Sequence, residues 1–197
     1  ARPTIMTTVP RLCDTLYDKI TRGMRKVSGT RQRMFEQALE LGKRRYHDPR
    51  SLSLADRLID VVLDRTVRRK VRGIFGGRLK ALVSGGAPLN PEIGLFFHAL
   101  GVEVLQGYGL TEAGPVISVN RPLRAKMHTV GPPLKDVTLR LAEDKEICVQ
   151  GEMVMQGYWR NEEATRSVLR DGWLCTGDIG EIDAEGHLQI TDRKKDI

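Results

Sequence analysis

The chain has 197 residues, of which 40% are hydrophobic, 29% charged and 5% aromatic, and it carries a net charge of +7. That balance excludes a disordered chain, and the length admits one sizeable core or two small ones. No apolar run approaches the ~20 residues of a membrane span.

The charge is unevenly placed: residues 1–80 hold 20 Lys/Arg against 8 Asp/Glu, and residues 81–197 hold 12 against 17. Residues 10–75 read as helices. Leu12, Leu16 and Ile20 recur every fourth position, with Cys13 and Tyr17 widening the stripe. Ser28-Gly29 interrupts it. A second stretch carries Met34, Phe35, Ala38 and Leu41 and ends at Tyr46-His47-Asp48-Pro49. Ser53 then caps a third helix whose apolar side is Leu54, Leu58, Val61 and Val62, and Arg65–Arg72 continue it to Gly76-Gly77.

The pattern changes at residue 79. Leu79–Val83 is a short apolar run suited to a buried strand, and Ser84-Gly85-Gly86-Ala87-Pro88 is a tight loop. Asn90 and Pro91 start a helix that Gly101 closes, and Val102–Leu105 is the next strand. This β-α-β pattern predicts parallel strands, with both glycine loops at carboxyl ends, where open α/β sheets bind ligands. Past residue 130, Val137–Leu141, Glu146–Gln150, Trp173–Cys175 and His187–Ile190 read as short strands, and Asn161 caps a helix over Glu162–Leu169. The expected fold is α/β. A partial parallel sheet with flanking helices forms a β-α-β nucleotide-site unit, and a small, mostly antiparallel barrel-like part follows. The expected divisions are 1–78 helical, 79–130 α/β, 131–191 β-rich and 192–197 the start of a hinge.

Four clusters carry the chemistry. In Gln106-Gly107-Tyr108-Gly109-Leu110-Thr111-Glu112, glycines relieve the backbone so that a flat ring can lie against it. The Thr111 hydroxyl suits a phosphate oxygen and the Glu112 carboxylate a hard cation such as magnesium. Gly86, Ala87 and Pro88 would let a planar base approach, or form an ordinary strand-to-helix turn. In Trp173–Asp178, Asp178 can accept two hydroxyl protons of a ribose or serve as a turn residue. Asp192-Arg193-Lys194-Lys195-Asp196 is a solvated charge run or a ligand-facing one.

Taken in this order, these clusters resemble the adenylate-forming (AMP-binding, acyl-CoA synthetase) superfamily, and within it the long-chain fatty-acid–CoA ligases. The matching stretches are Ser84–Leu89, Gln106–Glu112, Thr129–Pro133, Glu146–Tyr158, Gly172–Gly180 and Asp192–Asp196. Pro3-Thr4, Val9-Pro10-Arg11 and the long helical region point to the long-chain branch. The resemblance implies a reaction in which a fatty acid and ATP give an acyl-adenylate, which coenzyme A then converts to acyl-CoA with release of AMP. It implies that Gly86, Ala87 and Pro88 border adenine together with Gly107, Tyr108 and Gly109, with Tyr108 stacking on the base. Thr111 and Glu112 are the implied catalytic pair, Thr111 binding the α-phosphate and Glu112 magnesium. Asp178 and Arg193 hold the ribose, and Lys195 marks the hinge. Val116, Ile117, Ser118 and Val119 are candidates for an acyl tunnel, or plain core. The family's phosphate loop would precede residue 1 and its small domain would follow Ile197. The chain is therefore expected to be an internal piece, inactive by itself.

Other readings are an aryl- or medium-chain acid ligase, an amino-acid adenylation domain, a nucleotide-binding module without catalysis, or a basic nucleic-acid binder. Basic residues without interleaved aromatics disfavour the last, so no nucleic-acid partner is expected. Three scattered cysteines favour a reducing compartment, and no secretory leader pattern is seen, so the expected setting is cytoplasmic. Arg65–Arg72 is expected to touch anionic membrane peripherally. An unfinished sheet is expected to leave an open edge for self-association.

Overall fold

Prolines and polar caps set where four of the described α-helices begin. A computed structural model describes residues 2–194, and contacts divide the chain into two units, Ala1–Leu105 and Gln106–Ile197. In the first unit, strand β1 (Ile5–Thr8) leads into α1 (Pro10–Arg25), which has proline in its first turn. α2 (Thr30–His47) and α3 (Leu54–Leu63) follow. Ser53 and Asp56 form a reciprocal capping box at the start of α3: Asp56 N–H donates to Ser53 Oγ at 3.1 Å and Ser53 N–H to Asp56 Oδ2 at 3.1 Å. A π-helical turn, Asp64–Arg68, runs into α4 (Arg69–Ile74). Strand β2 (Ala81–Ser84), helix α5 (Pro91–Ala99) and strand β3 (Val104–Tyr108) complete the β-α-β unit. Asn90 caps α5 by accepting from Glu92 N–H at 2.9 Å.

β2 lies between β1 and β3. β1 and β2 are parallel, in register from Ile5↔Ala81 to Thr8↔Ser84. The core on this side gathers Cys13, Phe35, Leu82, Phe96, Phe97 and Leu100, with Tyr17 edge-on to Phe96 at 4.7 Å between ring centres. A second cluster joins Ala38, Leu41, Leu52 and Leu63.

The structure corrects the expected packing face of α3. Leu54 and Leu58 are 78% and 72% exposed, and Val61 and Val62 also face solvent. Asp60 and Leu63 turn inward instead. The reason is an ionic anchor beneath the helix. Arg68 is fully buried, and its Nη2 stands 2.6 Å from Asp60 Oδ1. Arg45 Nη1 bonds the other Asp60 oxygen at 2.5 Å. Arg68 also donates from Nε to Ala99 O at 2.6 Å, from Nη1 to Asp60 O at 3.2 Å and from Nη2 to Ala38 O at 2.9 Å. One guanidinium thus ties α2, α3 and α5 together. Arg72 makes a forked pair with Asp64, at 2.8 and 2.9 Å, which holds the Asp64 carboxyl below its ordinary range.

In the second unit, the end of β3 pairs antiparallel with β4 (Ser118–Val119), Gly107 opposite Val119 and Tyr108 opposite Ser118. A curled antiparallel sheet follows. It comprises β5 (Thr138–Leu141), β6 (Glu146–Gln150), β7 (Leu169–Arg170), β8 (Trp173–Ile182) and β9 (Leu188–Arg193), in the order β5-β6-β8-β7 with β9 also on β8. Helix α6 (Glu162–Val168) precedes β7, capped by Asn161 Oδ1 on Ala164 N–H at 3.0 Å. The core here is Ala113, Ile117, Ile147, Val149, Leu174 and Leu188. The fold is therefore mixed α/β, with parallel strands flanked by helices and a curled antiparallel sheet. No helix among the described residues is long and apolar enough to cross a membrane.

Candidate functional site

The second unit brings three of the singled-out side chains into direct contact. Tyr108, at the end of β3, donates its hydroxyl to Asp178 Oδ2 at 2.6 Å. Arg193, near the end of β9, donates from Nε to Asp178 Oδ1 at 3.1 Å. Asp178 is buried and the Arg193 side chain is 73% exposed, so the carboxylate is fixed while the guanidinium still reaches water. Burial, and then the bond to Asp178, push the Tyr108 phenol well above its ordinary range. It therefore stays protonated and acts as a donor.

A β-bulge explains how Asp178 gets there. Cys148 faces Cys175, yet Glu146 faces Ile179, so three residues of β8, Thr176-Gly177-Asp178, stand opposite the single Ile147 of β6, two more than regular pairing allows. Gly177 takes φ +76°, a left-handed turn that a side chain would strain. Its N–H donates to Glu146 Oε1 at 2.9 Å. Thr176 Oγ1 donates to Ile147 O at 2.9 Å and accepts from Asp178 N–H at 3.2 Å. Lys194 closes the arrangement, with Nζ 2.8 Å from Glu146 Oε2 and 2.6 Å from Asp144 Oδ2. Those two bonds raise the Lys194 amine above its ordinary range.

Sequence reasoning did not single out Glu146 or Lys194 as site residues. The available signal was a lone carboxylate opening an otherwise apolar strand, Glu146-Ile147-Cys148-Val149. A buried carboxylate demands partners.

The loop after Tyr108 turns back tightly. A Cβ on Gly109 would collide with the Pro115 carbonyl, so only glycine fits there. Thr111 opens a 3-10 turn, Thr111–Ala113, and is exposed. Glu112 is half-buried, and its Oε1 accepts the Tyr158 hydroxyl at 2.8 Å. That bond raises the Tyr158 phenol above its ordinary value. Gln106, the first residue of the run, reaches sideways and donates from Nε2 to Met127 O at 2.7 Å.

No cluster of three or more His, Cys, Asp or Glu among the described residues could hold a metal by itself. One carboxylate with one oxygen engaged fits magnesium that arrives on a substrate phosphate, since such ions keep waters and take one or two carboxylates. The acyl-tunnel candidates divide. Ile117 is fully buried in the core and Ser118 donates to Val130 O at 3.1 Å, so both pack the unit, whereas Val116 is exposed. Gly86, Ala87 and Pro88 belong to the first unit, where they form the exposed turn after β2, with Gly86 at φ +84°. Lys195 lies outside the described residues.

The sequence pattern of the AMP-binding enzyme family matches residues 1–159. A long-chain-fatty-acid–CoA ligase of Mycobacterium bovis is 38% identical over 198 residues, covering 100% of this chain and 33% of that protein. A peroxisomal long chain acyl-CoA synthetase of Arabidopsis thaliana is 35% identical over 212 residues, covering 100% of this chain and 29% of that one. The chain thus spans about a third of the length of the curated relatives it matches. Among solved structures, O-succinylbenzoate coenzyme A synthetase from Bacillus subtilis in complex with AMP aligns with TM-score 0.56 and 31% identity, over 60% of this chain and 27% of that one. The same enzyme in complex with ATP and a magnesium ion aligns with TM-score 0.57 and 30% identity, over 61% and 28%. With that pattern running through the helical region and on past Tyr108 and Glu112, the chain belongs to the AMP-binding enzyme family.

Proposed function

We propose that this chain supplies the ribose- and α-phosphate-binding part of a long-chain fatty-acid–CoA ligase. The observation that carries the reading is the preassembled Tyr108–Asp178–Arg193 cluster. A carboxylate offers about four acceptor positions. Tyr108 and Arg193 occupy one on each oxygen, so two remain for the 2′- and 3′-hydroxyls of a ribose. The Tyr108 ring, held by its own hydroxyl bond, is a rigid face for adenine. Thr111 donates to the α-phosphate that a fatty carboxylate attacks, and Glu112 holds magnesium carried by ATP. Magnesium would offset the repulsion between carboxylate and triphosphate. Coenzyme A is the second substrate, taking the acyl group as a thioester.

Similarity to long-chain ligases supports the fatty-acid assignment. Similarity to an O-succinylbenzoate ligase favours a second reading, in which another carboxylic acid is activated. A panel separates them: the complete enzyme containing this segment is assayed for acid-dependent exchange of pyrophosphate into ATP. Palmitate should drive the exchange. Exchange with aryl acids and none with fatty acids would replace the first reading by the second. The 197-residue chain alone should make no acyl-CoA, and detectable palmitoyl-CoA from it would overturn that part.

The proposed setting is the cytoplasm with peripheral membrane contact. Within Arg65–Arg72, Arg68 is buried and Arg72 is bound to Asp64, which leaves Arg65, Arg69 and Lys70 facing water. Lys70 also lines a groove of about 460 Å³ between α1, α2 and α4, together with Lys19, Arg31, Ile20, Met24 and Ile74. Apolar lining beside cations suits anionic lipid. More chain should float with anionic vesicles than with neutral ones, and equal recovery removes the membrane contact.

A further inference from the structure

We propose that Cys148 and Cys175 form a site of reversible covalent modification, a cross-strand dithiol that a small-molecule disulfide such as oxidised glutathione converts to an intramolecular disulfide. The inference stands apart from the ligase reading. The two residues face each other directly across β6 and β8, and their sulfurs are already in contact, Sγ to Sγ 3.7 Å. Directly opposed residues of an antiparallel pair have Cα atoms about 4.5–5.5 Å apart, inside the ~4.4–6.8 Å range that disulfides span. Closing the bond needs side-chain rotation and a small approach of the strands.

The two sulfurs differ in access, which sets the order of events. Cys148 is buried, and burial followed by the contact with Cys175 pushes its thiol up to about 11. Cys175 is only half-buried. Cys175 therefore attacks first, as a thiolate on one sulfur of glutathione disulfide. That S–S bond breaks, one glutathione leaves as thiolate, and it takes up the proton Cys175 gave up. Cys148 then loses its proton and attacks Cys175 Sγ in the mixed disulfide, and the second glutathione leaves and is protonated. Two electrons pass from the protein dithiol to glutathione. Cys13 lies in the other unit, fully buried in its core, and serves as an internal control.

The test equilibrates the chain in glutathione buffers of graded ratio, quenches with acid, alkylates after unfolding and maps the peptides by mass spectrometry without reduction. The expected product joins the peptides of Cys148 and Cys175, is about 2 Da lighter than the two thiols, and reverts with dithiothreitol. Cys13 should be alkylated throughout. Cys148→Ser should trap Cys175 as its glutathione adduct, about 305 Da heavier, whereas Cys175→Ser should leave Cys148 unmodified. The proposal fails if Cys148 and Cys175 stay alkylated at every ratio, if the links join two chains, or if Cys13 is oxidised at the same ratio. It also fails if Cys148→Ser gives no adduct at Cys175.

Discussion

Replacing Arg68 with methionine is expected to lower the stability of the first unit by about 3–5 kcal/mol, the usual cost of breaking a buried ion pair by removing one partner. The methionine fills much of the space but donates nothing. Ala99 O, at the end of α5, loses its buried donor, Ala38 O keeps only its helical N–H partner, and Asp60 keeps only Arg45 on one oxygen. Each orphaned buried acceptor costs about 1–3 kcal/mol. Neighbouring Arg65 is a suitable control: it is exposed, so Arg65→Ala should change stability by less than about 0.5 kcal/mol. Urea unfolding followed by far-UV circular dichroism reads this well, because α1 to α5 all lie in this unit. A loss under about 1 kcal/mol for Arg68→Met would show that water replaces the lost donors and that the guanidinium is no anchor.

Arg68 also shows where sequence reasoning stops. In Arg65-Thr66-Val67-Arg68-Arg69-Lys70 every cation looks alike, and composition assigns all of them to solvent. Which one turns inward depends on carbonyls at Ala38 and Ala99, some 30 residues away in either direction. The same anchor rotates α3, so its regular stripe of Leu54, Leu58, Val61 and Val62 faces out although its spacing is that of a core face. Periodicity identifies a helix and its apolar side, but not what covers that side. Local signals fared better because their cause is local. Ser53 with Asp56, and Asn90 with Pro91, satisfy helix N–H groups within one turn, so the sequence alone shows them. β4 and β7 went unread because two residues are too few for an alternating pattern.

The candidate site divides along the same line. Tyr108 and Asp178 stand out by residue type beside glycines, Glu112 by its place in the glycine-rich run and Arg193 by its charge run. Their joining does not, because it depends on the extra residues that β8 inserts opposite β6. Glu146 bracing Gly177, Lys194 bracing Glu146, and Tyr158 on Glu112 are all contacts between residues more than 30 positions apart. No local pattern encodes them.

Asp178→Asn is expected to weaken AMP binding at least about tenfold, since losing a hydrogen bond to a charged group costs ~1.5–3 kcal/mol. The change is nearly isosteric, so what it alters is charge and the number of acceptor positions. Asp178 accepts from two donors already, Tyr108 on one oxygen and Arg193 on the other. An amide has only one acceptor oxygen, so its NH2 would point at either the phenol or the guanidinium. One of those donors loses its acceptor, and the site has fewer lone pairs to offer a ribose. Tyr108→Phe keeps the ring and frees one carboxylate oxygen, so it should cost less than about tenfold, because a neutral hydrogen bond contributes only ~0.5–1.5 kcal/mol. Tyr108→Ala removes the stacking face as well and should approach the Asp178→Asn loss. Calorimetric titration of AMP into each variant gives the ranking, with thermal unfolding to confirm that the fold survives. If Asp178→Asn binds AMP within about threefold of the parent, below the ~1.5 kcal/mol a charged contact supplies, then Asp178 does not hold the ribose. The Tyr108–Asp178–Arg193 cluster would then be a brace between β3, β8 and β9.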